Sequence, residues 1–335
     1  MRTIQRLTTL GMFLLTIGAA SARAQEKARY EEDMRNGGAL LEREQYDQAL
    51  KAYKHAYDVS KKSSIEAALG MGMAYRRLGA YKNVLDVMGE ALKLAGDDKI
   101  QQAKIHNLRG AALVALTEKP TDKRLQEAEA EFRTALAANQ NLYAAQLNLG
   151  VTLLKMDRDE EGVRELKAYL EHAPKGPDTR DVVSMIEDPR RARETFAPDF
   201  SFTSLQGEYI ALEDLKGKTV LLDFWGSWCP PCVMSTPGLI KLQKKFAEDP
   251  VVFLSIAQDK ESDWRAYIDK HHLQWPQYLD ATDKIIHRFG VRGYPTFIVV
   301  DGDGIIRARA NGYTSGTDRW IESEIRKTLK NTSNR

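Results

Sequence analysis

Cys229 and Cys232 are the whole thiol inventory of a 335-residue chain. They stand as Trp228-Cys229-Pro230-Pro231-Cys232, directly after an apolar run from Val220 to Trp225 that reads as a buried strand. A Cys-x-x-Cys pair at the end of a strand points to thiol–disulfide exchange. The spacing sets both sulfurs on the first turn of a following helix, where the macrodipole favours thiolate at the first cysteine. The second is near enough to attack a mixed disulfide and release it. A structural zinc would need four ligands. The six histidines are scattered and there is no second cysteine pair, so no metal is expected. A purely structural bridge closing so short a loop would stabilise little.

The elements that must position this pair come in alternation. Apolar runs at Phe200–Ser204, Tyr209–Leu212, Val251–Ala257, Thr296–Val300 and Ile305–Ala310 read as strands. Helical patterns follow the cysteines and span Ser262–His271, Asp283–Phe289 and Thr317–Leu329. This alternation predicts an α/β domain over 197–330, preceded by a linker at 188–196 and followed by a disordered tail at 331–335. Asp223 lies inside the strand before the cysteines. Buried, it would have a raised pKa; at a partly solvated strand end it would not.

Residues 30–187 are different. They hold almost no proline and no convincing strand, and a 34-residue helical period shows through. Gly37, Tyr46, Ala49, Tyr53 and Ala56 recur in register as Gly72, Tyr81, Val84, Met88 and Ala91. A third copy holds Gly110, Ala128, Phe132 and Ala135, with extra residues around Thr117–Asp122. A fourth has Gly150, Leu153, Leu166 and a closing Pro174, and Gly162 stands where the pattern wants alanine. These offsets resemble the tetratricopeptide repeat, an all-α superhelix. Such arrays present a concave groove to protein partners. The groove candidates are Arg76, Arg77, Lys104, Asn107 and Lys155, unless these are simply solvated charges.

The start of the chain reads as a leader. Arg2 and Arg6 precede an apolar stretch from Leu7 to Ala20, and Ala22-Arg23-Ala24 fits a small-x-small cleavage site. The expectation is a signal peptide over 1–24 and export to a bacterial periplasm; an uncleaved segment would leave an N-terminal anchor. Net charge is +2, and beyond residue 24 acids and bases nearly balance. Nothing in that balance suggests nucleic acid as a partner.

The second segment resembles the thioredoxin superfamily, specifically the TlpA/ResA-like thiol–disulfide oxidoreductases. The resemblance rests on Ala197-Pro198-Asp199-Phe200, Leu215-Lys216-Gly217-Lys218, Phe224 through Cys232, and Phe289-Gly290-Val291-Arg292-Gly293-Tyr294-Pro295-Thr296. It implies that Cys229 is the attacking thiolate, exposed at the helix start, and that Cys232 is the buried resolving thiol. Pro295 matches the family's cis-proline, and the backbone of Tyr294 would pair with a substrate chain as a strand edge. Trp228, Pro230, Pro231, Tyr294 and Thr296 are the implied substrate-binding residues. Asp223 matches the acid that assists deprotonation of the resolving cysteine in thioredoxin. Leu254 falls roughly where thioredoxin has a paired lysine, and Ser235 where relatives often carry glutamate.

The resemblance implies a reductase of disulfides in target proteins, recycled by a membrane electron donor of the thiol-reducing type, with no cofactor beyond the cysteine pair. An oxidase or isomerase would use the same cysteines. A scaffold, in which the repeats do the work, is a rival of another class. A peroxidase is disfavoured because Gly226 stands where a peroxidatic cysteine needs a hydroxyl three residues earlier. Asp301-Gly302-Asp303-Gly304 resembles the start of a calcium loop, but the twelfth position is Gly312.

Overall fold

The computed structural model describes residues 23–172 and 178–333. The expected leader therefore lies outside the described residues apart from 23 and 24, as does Pro174. The chain divides into two compact units, with the break between Arg193 and Glu194.

The first unit is helical. A first helix, α1, covers 23–42. It is followed by α2 (Tyr46–Val59), α3 (Ile65–Arg77), α4 (Tyr81–Ala95), α5 (Lys99–Ala115), α6 (Lys123–Ala138), α7 (Tyr143–Lys155), α8 (Asp159–His172) and α9 (Asp178–Glu187). One packing device recurs. A glycine on the first helix of each pair lets a large side chain of the second press against its backbone. Gly37 receives Tyr53, Gly72 receives Met88, Gly110 receives Phe132 and Gly150 receives Leu166. A Cβ on Gly110 would sit 2.6 Å from the Phe132 ring, and one on Gly150 would sit 2.7 Å from Leu166. Burying each large residue contributes about 1.5–3 kcal/mol. In the third pair the partner lies further along the chain because residues 117–122 form a turn between α5 and α6. Gly162 proves to be no defect of the fourth repeat. Its Cβ would meet Leu154 at 2.4 Å and the Gly150 carbonyl at 2.9 Å, so alanine would not fit that crossing.

The expected linker at 188–196 is not a free segment. A 3-10 turn, Pro189–Ala192, is held to the helical unit by Arg193, whose guanidinium donates to the Leu154 carbonyl at 2.9 Å and to Asp159 at 2.7 Å. From Glu194 onward the chain belongs to the second unit. Phe196 bridges to Ile305, and Ala197 N–H donates to the Gly304 carbonyl at 2.8 Å.

The second unit is a five-stranded mixed sheet with helices on its faces. Its strands are β3 (Thr219–Trp225), β4 (Val251–Ala257), β5 (Gln277–Leu279), β6 (Thr296–Val300) and β7 (Ile306–Asn311), in the order β5-β4-β3-β6-β7. A short hairpin of β1 (Ser201–Thr203) and β2 (Tyr209–Ala211) precedes them. The helices are α10 (Pro230–Lys245), α11 (Glu261–His271), α12 (Lys284–Arg288) and α13 (Thr317–Ser333). Since α13 runs to Ser333, the expected tail is helical over 331–333. β3 is central and parallel to β4, antiparallel to β6, and buried along its whole length, which is why its sequence reads as an apolar run interrupted only by Asp223 after Thr219. Its residues alternate between two cores. Val220, Leu222 and Phe224 pack with Phe289, Ile285 and the hairpin's Phe202. Leu221 and Trp225 pack on the opposite face with Leu239, Trp264, Trp275, Ile321 and both cysteines. Asp223 shares this second face by the two-residue period of a strand.

Candidate active site

β3 ends at Trp225, and after three intervening residues Cys229 becomes the N-cap of α10. Cys229 and Cys232 are joined as a disulfide, with Cα atoms 5.3 Å apart. An α-helix opens with four backbone N–H groups that lack helical partners. Here each is accounted for. Cys229 N–H donates to the Gly226 carbonyl at 3.1 Å, Pro230 and Pro231 have no N–H, and Cys232 N–H is shared between the Cys229 carbonyl at 3.0 Å and Cys229 Sγ at 3.3 Å. One main-chain donor is thus directed at the first sulfur. The expected exposure of Cys229 is corrected: it is 4% exposed, because the bond to Cys232 folds its sulfur into the apolar cluster beneath.

Around the pair lies an uncovered apolar rim. Trp228 is 59% and Met234 65% exposed, and Pro230, Pro231 and Val233 also face solvent. Trp228 is held rather than loose. Its Nε1–H donates to the Gln258 carbonyl at 2.7 Å, and its ring meets Tyr294 edge-on at 5.6 Å. Gly226 makes that pose possible, since a Cβ there would stand 2.5 Å from Trp228 Nε1 and 2.8 Å from the Gln258 carbonyl. The same crowding leaves no room for a hydroxyl side chain. Asp259 accepts from Ser227 N–H at 2.5 Å, so the loop after β4 fixes the loop before the cysteines. Neither Gln258 nor Asp259 stood out in the sequence. Their only signal is their place directly after a strand paired with β3.

The Tyr294–Pro295 peptide bond is cis. Among the described residues the main chain of Tyr294 makes no hydrogen bond, whereas the Pro295 carbonyl accepts from Gly312 N–H at 2.7 Å. Thr296 is corrected as a substrate-binding residue. It is fully buried, and its hydroxyl lies 2.8 Å from the Gly293 carbonyl and 3.0 Å from Asn311 Oδ1, so it braces the loop from inside.

On the face of β3 that packs with the cysteines, Asp223 is buried and its carboxyl is pushed up to about 7, burial being the main cause and a hydrogen bond from Ser255 the smaller opposing one. Ser255 Oγ donates to Asp223 Oδ2 at 3.0 Å; Oδ1 is buried with no partner. Leu254, where the resemblance puts thioredoxin's paired lysine, is not the residue across from Asp223. The register pairs Asp223 with Ser255, while Leu254 faces the other core. Ser235 and Thr236 hydroxyls lie 2.7 and 3.2 Å from the Cys232 carbonyl, and Thr236 also meets Tyr267 Oη at 2.9 Å.

In the helical unit, Arg76 lines a pocket of about 360 Å³ with Phe132, Asn148, Val151 and Met185. Asn107 stands beside it, accepting from Asn148 Nδ2 at 2.9 Å. Arg77 and Lys104 are exposed and do not line it, and Lys155 lines a separate hollow with Leu125 and Arg193.

Comparison with known proteins places these features. Residues 194–309 match the AhpC/TSA family and residues 121–186 a tetratricopeptide repeat model. The thioredoxin-like protein YneN of Bacillus subtilis is 40% identical over 114 residues, covering 33% of this chain and 66% of that protein. The thiol–disulfide oxidoreductase ResA of Bacillus anthracis is 38% identical over 132 residues, 39% of this chain and 75% of ResA. The chain belongs to the ResA family. Its second unit is the thiol–disulfide oxidoreductase unit of that family, and the helical repeats come in addition to it. Among solved structures, a DsbE-type thiol:disulfide interchange protein from Chlorobium tepidum is 27% identical, covering 41% of this chain and 96% of that one, with a TM-score of 0.39.

Proposed function

We propose that this ResA-family protein is an exported reductase that passes two electrons from Cys229 and Cys232 to disulfides of other proteins. The observation that carries the direction is the proline pair opening α10. A thiolate at Cys229 meets a single first-turn N–H, that of Cys232, because Pro230 and Pro231 offer none. DsbA is a strong oxidant because its reduced form is stabilised. A helix start that withholds donors from the thiolate does the opposite, so the dithiol gives up its electrons more readily.

The exchange runs in two displacements. Cys229 thiolate attacks one sulfur of the target disulfide, and the electron pair leaves on the other. Cys232 then loses its proton to Asp223 and attacks the Cys229 sulfur, and the bond from Cys229 to the target breaks. The target leaves as thiolate and takes a proton from water. Asp223 suits this work because a carboxyl near 7 exchanges a proton at neutral pH. The exposed rim of Trp228, Pro230 and Pro231 seats the target chain, and the free main chain of Tyr294 offers it a strand edge. A membrane electron donor of the thiol-reducing type restores the dithiol. The repeats dock a protein partner through the groove lined by Arg76, with Asn107 beside it. Export rests on Arg2, Arg6 and the apolar run behind them.

The equilibrium potential of the pair tests the direction. A value near about −270 mV, as in thioredoxin, supports a reductase, whereas one near about −120 mV, as in DsbA, makes the protein an oxidase. Cys232→Ala should trap mixed disulfides with targets in cells.

A further inference from the structure

Asp223 is served by a hydrogen-bonded chain whose direction chemistry fixes. Trp275 Nε1–H donates to Ser255 Oγ at 2.8 Å, and Ser255 Oγ lies 3.0 Å from Asp223 Oδ2. An indole N–H can only donate, so it occupies a lone pair of Ser255. The single hydroxyl proton of Ser255 is then left for the carboxylate. All three side chains are buried, with Ser255 at 1% and Trp275 at 5% exposure, so water does not compete for these bonds. Oδ2 is thereby committed, and Oδ1, buried and unpartnered, is the oxygen left to carry a proton.

We propose that Ser255 and Trp275 are positioning residues of the thiol exchange, holding Asp223 by Oδ2 so that Oδ1 takes the proton from Cys232 in the resolving displacement. The inference rests on the role given above to Asp223. The titratable groups that face this side from the elements packed over it include Cys229 and Cys232 of α10, Tyr267 and the stacked His271 of α11, Asp318 of α13, and Tyr294 and Tyr313, which pack against the same cluster. Phe297, opposite Asp223 on β6, carries none. Of these, Tyr267 senses the charge of Asp223. The chain through Ser255 favours the carboxylate and partly offsets what burial does to it. Losing the chain therefore moves the ionisation of Asp223 upward.

The test is the pH dependence of the rate at which the reduced full-length chain reduces a disulfide substrate such as insulin. It compares the wild type with Ser255→Ala, Trp275→Phe and Asp223→Asn. Wild type should show a limb near neutrality that Asp223→Asn lacks. Ser255→Ala should displace that limb upward by about one pH unit. Trp275→Phe, which keeps an aromatic ring and loses only the N–H, should displace it in the same direction by less. Adding Ser255→Ala to Asp223→Asn should move nothing further. If Asp223→Asn removes the limb while both positioning variants keep it at the wild-type pH, the proposal is overturned and Asp223 keeps its role. If Asp223→Asn itself retains the limb, the assignment of Asp223 falls, and the proposal with it. Trp275→Phe decides the matter where Ser255→Ala fails to fold.

Discussion

Replacing Asp223 by asparagine should make the folded chain less sensitive to pH. The carboxyl titrates near 7 when buried against an ordinary value of 3.8. Between those values the folded state holds a proton that the unfolded chain has released. Stability therefore falls as pH rises through this window and levels off above 7. At about 1.36 kcal/mol per unit, the full penalty on the wild type above pH 7 is about 4 kcal/mol, of which somewhat under half is already present at pH 5. Asparagine does not titrate, so it escapes this slope. It carries a fixed handicap instead. Its amide nitrogen or oxygen must occupy the place of Oδ1, which has no partner, at a cost of about 1–3 kcal/mol. That handicap is independent of pH and cancels when two pH values are compared. The stability gap between variant and wild type should thus move in favour of the variant by about 3 kcal/mol between pH 5 and pH 9. The assay is denaturant unfolding of the oxidised protein followed by tryptophan fluorescence. All five tryptophans, Trp225, Trp228, Trp264, Trp275 and Trp320, lie beyond the helical unit, so the signal reports the sheet unit within the intact chain. A gap that stays constant from pH 5 to pH 9 would refute the reasoning, because it would mean that the buried acid does not titrate in this range.

Pro231→Ala restores an N–H to the first turn beside Cys229, and should raise the potential of the pair by about 30 mV if the new bond to thiolate is worth about 1.5 kcal/mol; redox equilibration against glutathione measures it. Gly226→Ala pushes a methyl into the Trp228 indole, and should destabilise the sheet unit by about 1–3 kcal/mol, as well as altering the tryptophan emission and slowing exchange. Gly110→Val drives a branched side chain into Phe132, and should lower the far-UV melting transition of the helical unit, by about 1–3 kcal/mol, while the tryptophan-detected transition holds.

What could be read in the chain and what could not divide along physical lines. β3 was legible because a strand covered on both faces must be mostly apolar, and the cysteines were legible because their chemistry allows few alternatives. The repeats were legible through their glycines, but Gly162 read as a defect because a sequence does not show that another backbone passes 2.9 Å away. β5 escaped because it has three residues and opens on Gln277, a buried polar side chain that breaks the apolar pattern. Ser255 escaped by one position. A strand turns adjacent residues to opposite faces, so Leu254, noted from the resemblance, faces away from Asp223 while its neighbour Ser255 meets it. Thr296 looked like a substrate contact by its place after Pro295, and only the pairing with Asn311 reveals that it turns inward.

Cys229 Sγ is at once the acceptor that caps α10 and the atom that carries the electrons. Each change of bonding at that sulfur, from disulfide to thiolate to mixed disulfide, alters the charge facing one amide proton, that of Cys232. The amide resonance of Cys232 is therefore a built-in gauge of turnover. A selectively labelled NMR spectrum would follow it through the cycle in the intact chain, with no dye and no mutation at the site.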